Sequence, residues 1–280
     1  MGYATVSTST LIAACFLLSS IAHGVSAAAA GVSHREETIA TTVPYKTASG
    51  ELAAVRISGA LWVPNEGAVP HPLAIYSHGS QSATGAGSYA VEPKQFAAFL
   101  ERGYAVFAPM RKGFNRAGTP LSQAKANETE PFACAGAEAG VQSAVSDSKA
   151  LIIALIAARR ADVDVKNITL FGHSRGGLLS VAIAANGLVG VKKVINFSGG
   201  WQTDCLDFNT AKFAEFAEKI KVPIFSFYGA YDSAWGVSHM KANLAALEKN
   251  GKGKGHILSG AGHNVFETHV QQWAPIVFGK

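Results

Sequence analysis

The sequence predicts an α/β architecture, a mostly parallel central sheet of about eight strands with helices on both faces. Three observations carry that reading. Short apolar runs bounded by Gly or Pro alternate with longer stretches of helical spacing along most of the chain. The composition, 48% apolar and 15% charged, can bury a large core and excludes disorder, collagen-like repeats and a coiled coil. A length of 280 residues suits one domain of this class better than two.

Each element has its own signal. Residues 38–47 and 54–63 carry partly alternating apolar residues, among them Val55, Ile57, Leu61 and Val63, and predict two early antiparallel strands. Residues 73–77 form a short apolar strand ending at His78-Gly79. A helix follows over about 94–102, closed by Gly103, and residues 104–109 form the next strand. The Gly-rich, polar stretch 111–139 predicts a long loop of the kind that lines a site. Residues 139–158 have helical spacing through Val141, Val145, Ile153 and Ile156. Strands at 168–171, 191–197, 222–228 and 255–258 then alternate with helices at 176–185, 239–249 and about 265–278. Residues 200–221 read as a small helical excursion. Alternation of this kind implies a sheet covered on both faces, whose ligands bind at the carboxyl ends of the strands.

The first 27 residues read as a signal peptide, leaving 28–280 as the domain. No charged side chain precedes Arg35, residues 11–18 are apolar, and the small residues around Val25-Ser26-Ala27 suit a signal peptidase. The run is shorter than a membrane span requires. The chain is thus expected to be secreted or periplasmic, with no membrane span in its mature form. An uncleaved anchor is one alternative. Another is lipid attachment at Cys15, since Ile12-Ala13-Ala14-Cys15 resembles a lipoprotein box. Cleavage would leave Cys134 and Cys205, a plausible disulfide in an oxidising compartment, with two unpaired buried thiols as the alternative. Neither has a partner at metal-ligand spacing, so no metal is expected.

The formal charge of +5 is spread thinly, and no run of Lys or Arg exceeds two residues. A nucleic-acid partner would call for a clustered basic stripe. The Gly-containing loop 80–88 lacks the strand–helix fingerprint of a dinucleotide site, and no cofactor is implied.

The chemistry concentrates at three strand ends. Gly172-His173-Ser174-Arg175-Gly176-Gly177 matches the Gly-x-Ser-x-Gly nucleophile elbow, between an apolar strand and an apolar helix as that mechanism demands. Ser174 is therefore the candidate nucleophile. A serine needs a base, and the base an orienting carboxylate. Asp232 follows strand 222–228, and His263 sits in a Gly-flanked loop after the last strand. His256, His239, Asp204 and Asp207 are weaker rivals, and His173 reads as packing. The oxyanion donors expected are the backbone N–H groups of Arg175 and of Ser80 in the His78-Gly79-Ser80 loop. Phe114, Phe132, Trp201 and Trp235 should fall near the strand ends, with Phe114, Trp201 and Trp235 as substrate-binding candidates. Arg111 and Lys112 read as a solvated pair, with attraction of an anionic substrate as the alternative.

These motifs, in the order Ser–Asp–His, resemble the α/β-hydrolase superfamily over roughly residues 50–280, and within it the dienelactone-hydrolase-like and small secreted esterase branch. The resemblance implies an enzyme that hydrolyses a small carboxylic ester through an acyl-enzyme. Dienelactone hydrolases use Cys where Ser174 stands, which sets dienelactone apart as a substrate. The Gly-His-Ser-Arg-Gly-Gly form also resembles the elbow of chlorophyllases. The same triad can serve a thioesterase or a peptidase, and the alternative of another class is a binding protein on a hydrolase scaffold.

Overall fold

The computed structural model describes residues 26–29, 32–46, 50–80, 88–89, 91–116, 133–158, 161–201 and 207–279. Its central feature is a nine-stranded sheet. The first strands are β1 (Ser26–Ala29), β2 (Val32–Lys46), β3 (Leu52–Pro64) and β4 (His71–Ser77). A short pair, β5 (Ser88–Tyr89) and β7 (Asn115–Arg116), stands apart from the sheet. The remaining sheet strands are β6 (Ala105–Pro109), β8 (Val163–His173), β9 (Val191–Phe197), β10 (Ile224–Gly229) and β11 (Gly253–Leu258). Their order is β1-β2-β3-β6-β4-β8-β9-β10-β11. The first three pair antiparallel, β3 also pairs antiparallel with β6, and every pairing from β6 to β11 is parallel.

The expected alternation holds. The two early strands form one long hairpin, with Val43 opposite Val55 and Thr41 opposite Ile57. Helix α1 (Ala97–Leu100), entered through a tight turn at Pro93–Phe96, precedes β6. The long helix α2 (Cys134–Ala157) starts five residues before the expected 139, and 117–132 of the predicted loop lies outside the described residues. The early start reflects Ala133–Ala139, whose alanines are good helix formers but mark no face, so periodicity could not register them. Helices α3 (Arg175–Ala185), α4 (Asp207–Lys219) and α5 (Val237–Glu248) follow, α4 forming the excursion. The tail divides into α6 (Val265–Thr268) and α7 (Val270–Phe278).

The predicted signal boundary after residue 27 falls within β1, which pairs with β2, while residues 1–25 lie outside the described residues. Among the described residues one helix, α2, is long and apolar enough to cross a membrane, and more than half of its apolar window is buried inside the fold.

Strand periodicity sorts the core into two layers. Along β4, Leu73 and Ile75 face one side while Ala74 and Tyr76 face the other, and all four are at most 2% exposed. The first side is aliphatic, packed by Val141, Leu151 and Leu155 of α2 and by Leu178, Leu179 and Ile183 of α3. The second side is aromatic. There Phe99 stacks on Phe171 with centroids 4.2 Å apart, and Phe197 meets Trp273 at 4.8 Å.

The sheet order also explains the site. From β4 the chain steps back toward β3 to make β6, then crosses to the other side of β4 for β8, β9, β10 and β11. The direction therefore reverses between β4 and β8, a topological switch point that opens a crevice at the carboxyl ends of those strands.

Candidate active site

The elbow lies at that switch point. Ser174 follows β8 directly and opens α3, with φ 55° and ψ −126°. A side chain is rarely found at such φ, and this strain at a strand–helix turn lifts the hydroxyl clear of the backbone. Neighbouring backbone enforces the turn: the Ser174 N–H donates to the Phe197 carbonyl at 2.9 Å, and its own carbonyl accepts from Gly177 at 2.8 Å. The turn also brings α3 hard against β4. A Cβ on Gly176 would overlap the Ser77 carbonyl, and one on Gly172 would overlap the Gly176 carbonyl, so only glycine fits either place.

Asp232 and His263 come from adjacent parallel strands, β10 and β11, whose following loops are laced together. Tyr231 N–H donates to Ala261 O at 2.8 Å and Ala230 N–H to Leu258 O at 2.9 Å. His263 Nδ1 lies 2.9 Å from both Asp232 oxygens. With Nδ1–H donating to the carboxylate, Nε2 is left to accept a proton. The Asp232 side chain is fully buried, while that of His263 is 28% exposed, so the acid is sheltered and the base reachable. Asp232 Oδ1 also accepts the Ala234 N–H at 2.9 Å.

His173 joins the two halves. It is next to Ser174, and its Nε2–H donates to the His263 backbone carbonyl at 3.0 Å, with the rings 4.8 Å apart. Burial, followed by the neighbouring His263, pulls its pKa down to about 4, so it is a neutral donor at neutral pH. The packing role expected of His173 thus has a specific content: it ties the base loop to the elbow.

Of the two expected oxyanion donors, Arg175 is the first residue of α3, at the positive end of its dipole. Ser80 sits two residues past His78 in the loop after β4, half-buried. Beneath that loop lies Arg111, which is only 1% exposed. Its Nη1 donates to His78 O at 3.0 Å and its Nη2 to Gly79 O at 3.3 Å. Lys112 is buried as well, its ammonium 2.9 Å from Asp147 Oδ1 and its N–H 2.9 Å from Asp147 Oδ2. Burial raises the Asp147 pKa, against the opposing pull of Lys112. The expected solvated pair is therefore corrected: both basic residues are structural. The sequence carried no cue to this, because the acid that accepts from Lys112 lies 35 residues away on α2.

The aromatic candidates divide. Trp235 is 3% exposed, its ring 6.2 Å from that of His263, and its Nε1–H donates to Ser198 O at 2.8 Å. Phe114 is buried against His78, with ring centroids 4.7 Å apart. Trp201 is fully buried beneath Arg175, whose guanidinium carbon stands 4.0 Å over its ring. The structure thus gives Phe114 and Trp201 packing partners, and places Trp235 against the base. Ser198, which the sequence reading missed, adopts φ 47° where β9 ends and donates its N–H to Phe227 O at 2.7 Å. Its only sequence cue is the Gly199-Gly200 pair that follows.

The rivals go elsewhere. His256 stacks on Phe227 within β11, His239 is buried on α5 beside Asn243, and Asp207 begins α4 exposed. Phe132, Asp204 and Cys205 lie outside the described residues, while Cys134 opens α2. Among the described residues no group of three His, Cys, Asp or Glu side chains is placed to hold a metal.

A strained serine at a switch point, in an elbow whose His173 bonds the loop that carries a carboxylate-bound imidazole, is the arrangement of an α/β hydrolase. The profile of the dienelactone hydrolase family matches residues 90–273, more than half of the sequence, and the chain belongs to that family. No curated protein sequence matches it. Among solved structures it is similar to a cold-adapted esterase from an Arctic intertidal metagenomic library, with TM-score 0.56 and 18% identity over 91% of this chain and 95% of that one. It is likewise similar to a predicted hydrolase of Thermoplasma acidophilum, with TM-score 0.55 and 16% identity over 88% and 97% of the two chains. A dienelactone hydrolase-like promiscuous phosphotriesterase from metagenomic libraries gives TM-score 0.53 and 19% identity, covering 81% and 84%. At these identities the likeness is one of fold.

Proposed function

We propose that this hydrolase cleaves a small carboxylic ester through an acyl-enzyme formed on Ser174. The observation that carries the reading is His263 held at 2.9 Å by the buried Asp232, next to an elbow in which Ser174 stands at φ 55°. His263 Nε2 takes the Ser174 proton as Oγ attacks the carbonyl, and Asp232 holds the tautomer and stabilises the imidazolium. The amides of Arg175 and Ser80 receive the oxyanion, each such donor being worth about 3–4 kcal/mol of transition-state stabilisation. The tetrahedral intermediate collapses, the leaving alcohol takes the proton from His263, and water activated by the same imidazole clears the acyl group.

Hydrolysis of p-nitrophenyl acetate, butyrate and octanoate beside Ser174→Ala tests this. Turnover abolished by the substitution is expected, and the chain-length profile sizes the acyl site. If both proteins are inert on esters yet wild type takes a fluorophosphonate label at Ser174, the substrate is a thioester or amide. If it takes no label, the binding-protein alternative stands.

We also propose that the chain is exported, with the signal removed near residue 27 and Cys134 bonded to Cys205. What supports this is the apolar, uncharged N-terminus and the retention of just two cysteines beyond it. N-terminal sequencing and non-reducing peptide mapping of the exported protein test both points.

A further inference from the structure

The buried guanidinium of Arg111 forks onto the two carbonyls that immediately precede Ser80. Nη1–H donates to His78 O at 3.0 Å and Nη2–H to Gly79 O at 3.3 Å, in a residue 1% exposed. The arrangement follows from the sheet. β6 pairs in parallel with β4, so the chain leaving β6 at Met110-Arg111 emerges beside the chain leaving β4 at His78-Gly79. Phe114 closes the assembly, its ring lying 5.2 Å from the guanidinium carbon and 4.7 Å from the His78 ring. Lys112 and Asp147 anchor the next residue to α2.

The orientation of the next amide follows from this clamp. The Gly79 carbonyl and the Ser80 N–H belong to one planar peptide group. Fixing the oxygen therefore fixes the direction of the N–H, which points the opposite way. A guanidinium can hold two carbonyls at once because its donors form a rigid fork, and it keeps its charge at all working pH values. Charge-assisted bonds of this kind are stronger than neutral ones, and burial strengthens them further.

We propose that Arg111 is a positioning residue that presets the oxyanion hole by locking the His78–Gly79–Ser80 peptides with the Ser80 N–H aimed at the reacting carbonyl. This rests on the acyl-enzyme reading above. Arg111 itself touches no substrate. It acts on transition-state stabilisation through the orientation of a backbone donor, and leaves the Ser174–His263–Asp232 chemistry in place.

The test compares wild type, Arg111→Lys and Arg111→Met on p-nitrophenyl acetate, alongside inhibition by a trifluoromethyl ketone, which adds to the serine and fills the oxyanion hole. Fluorophosphonate labelling rates and thermal melting complete the comparison. Misplacing one group by about 1 Å can cost roughly 100-fold, and that loss in kcat is expected for Arg111→Met with KM within a few-fold. The ketone should lose affinity by the same factor, since it reads the hole directly. Arg111→Lys, which keeps the charge but cannot fork, should retain folding and show an intermediate loss.

Either folded variant with wild-type kcat and wild-type ketone affinity overturns the inference. So does a drop in kcat that leaves ketone affinity untouched, which would mark a merely structural residue. If Arg111→Met does not fold, Arg111→Lys decides alone on the same two readouts. An inert wild type that takes no phosphonate label overturns the acyl-enzyme reading, and the inference falls with it. That outcome is distinct from an active wild type with indifferent variants.

Discussion

The Asp232–His263 pair and the His78–Ser80 loop, the proposed acid–base and oxyanion halves of the site, are held by different means. Asp232 and His263 sit on loops that leave neighbouring parallel strands and are stitched by backbone hydrogen bonds, so a short stretch after each strand carries the whole arrangement. The His78–Ser80 loop is braced instead by Arg111, 33 residues away, through bonds to its carbonyls. The first half is local geometry repeated on two strands. The second is a long-range electrostatic clamp, and such clamps leave no motif.

Three substitutions and one control sharpen the contrast. Asp232→Asn should have the largest effect, about a 10⁴-fold drop in kcat, because Asn cannot stabilise the imidazolium and favours the wrong tautomer. The buried amide keeps a similar shape, so unfolding by urea should change far less than turnover. A kcat within tenfold of wild type would show that Asp232 is not the orienting acid.

Gly176→Ala comes next and tests how tightly the elbow is drawn onto β4. The added methyl would meet the Ser77 carbonyl, and backbone would have to move. A loss of about 1–3 kcal/mol is expected, the range for overpacked sites, along with reduced turnover because Ser77 precedes the oxyanion loop. Gly236→Ala is the control, since nothing lies within 4 Å of its added Cβ. It should stay within about 0.5 kcal/mol of wild type. Equal stabilities for the two variants, read from denaturant melts, would refute the close approach.

The smallest effect at neutral pH concerns His173, the tie between the halves. Its folded pKa of about 4 lies below the ordinary histidine value of 6.5. Between those values the unfolded chain binds a proton that the folded chain refuses. The stabilising contribution is therefore fully present above pH 6.5 and is lost as pH falls toward 4, by at most about 1.4 kcal/mol per pH unit. Urea unfolding of wild type and His173→Asn across pH 7 to 4.5 should show a shallower decline in the variant. Parallel declines would mean that His173 is not a buried neutral donor.

Some of the molecule was readable from its letters. The alternation of apolar runs located every parallel strand of the main sheet, because a strand buried on both faces needs apolar residues throughout, but it left the short parallel pair β5–β7 as loop. Helix ends were less legible: α2 starts early in an alanine-rich stretch, where propensity is high and periodicity says nothing. Ser174, Asp232 and His263 were legible because each sits just past a strand, bounded by the glycines a sharp turn requires. The aromatic candidates were harder to sort. Their position after strands was correct, yet whether Phe114, Trp201 or Trp235 faces substrate, loop or cation depends on side-chain direction.

Sequence alone determined the fold class, the strand–helix turn at Ser174 and the placement of Asp232 and His263 just past later strands. Periodicity, turn chemistry and glycine placement are local properties, and each leaves a mark within a few residues. Only the tertiary structure decided that Arg111 and Lys112 are buried, that His173 bonds the His263 carbonyl, and that the order in which the chain adds parallel strands reverses between β4 and β8. Those features depend on which strands become neighbours. Charges that read as solvated along the chain become buried once β4 and β6 lie side by side, which sets Arg111 on the His78 and Gly79 carbonyls, and once α2 brings Asp147 to Lys112.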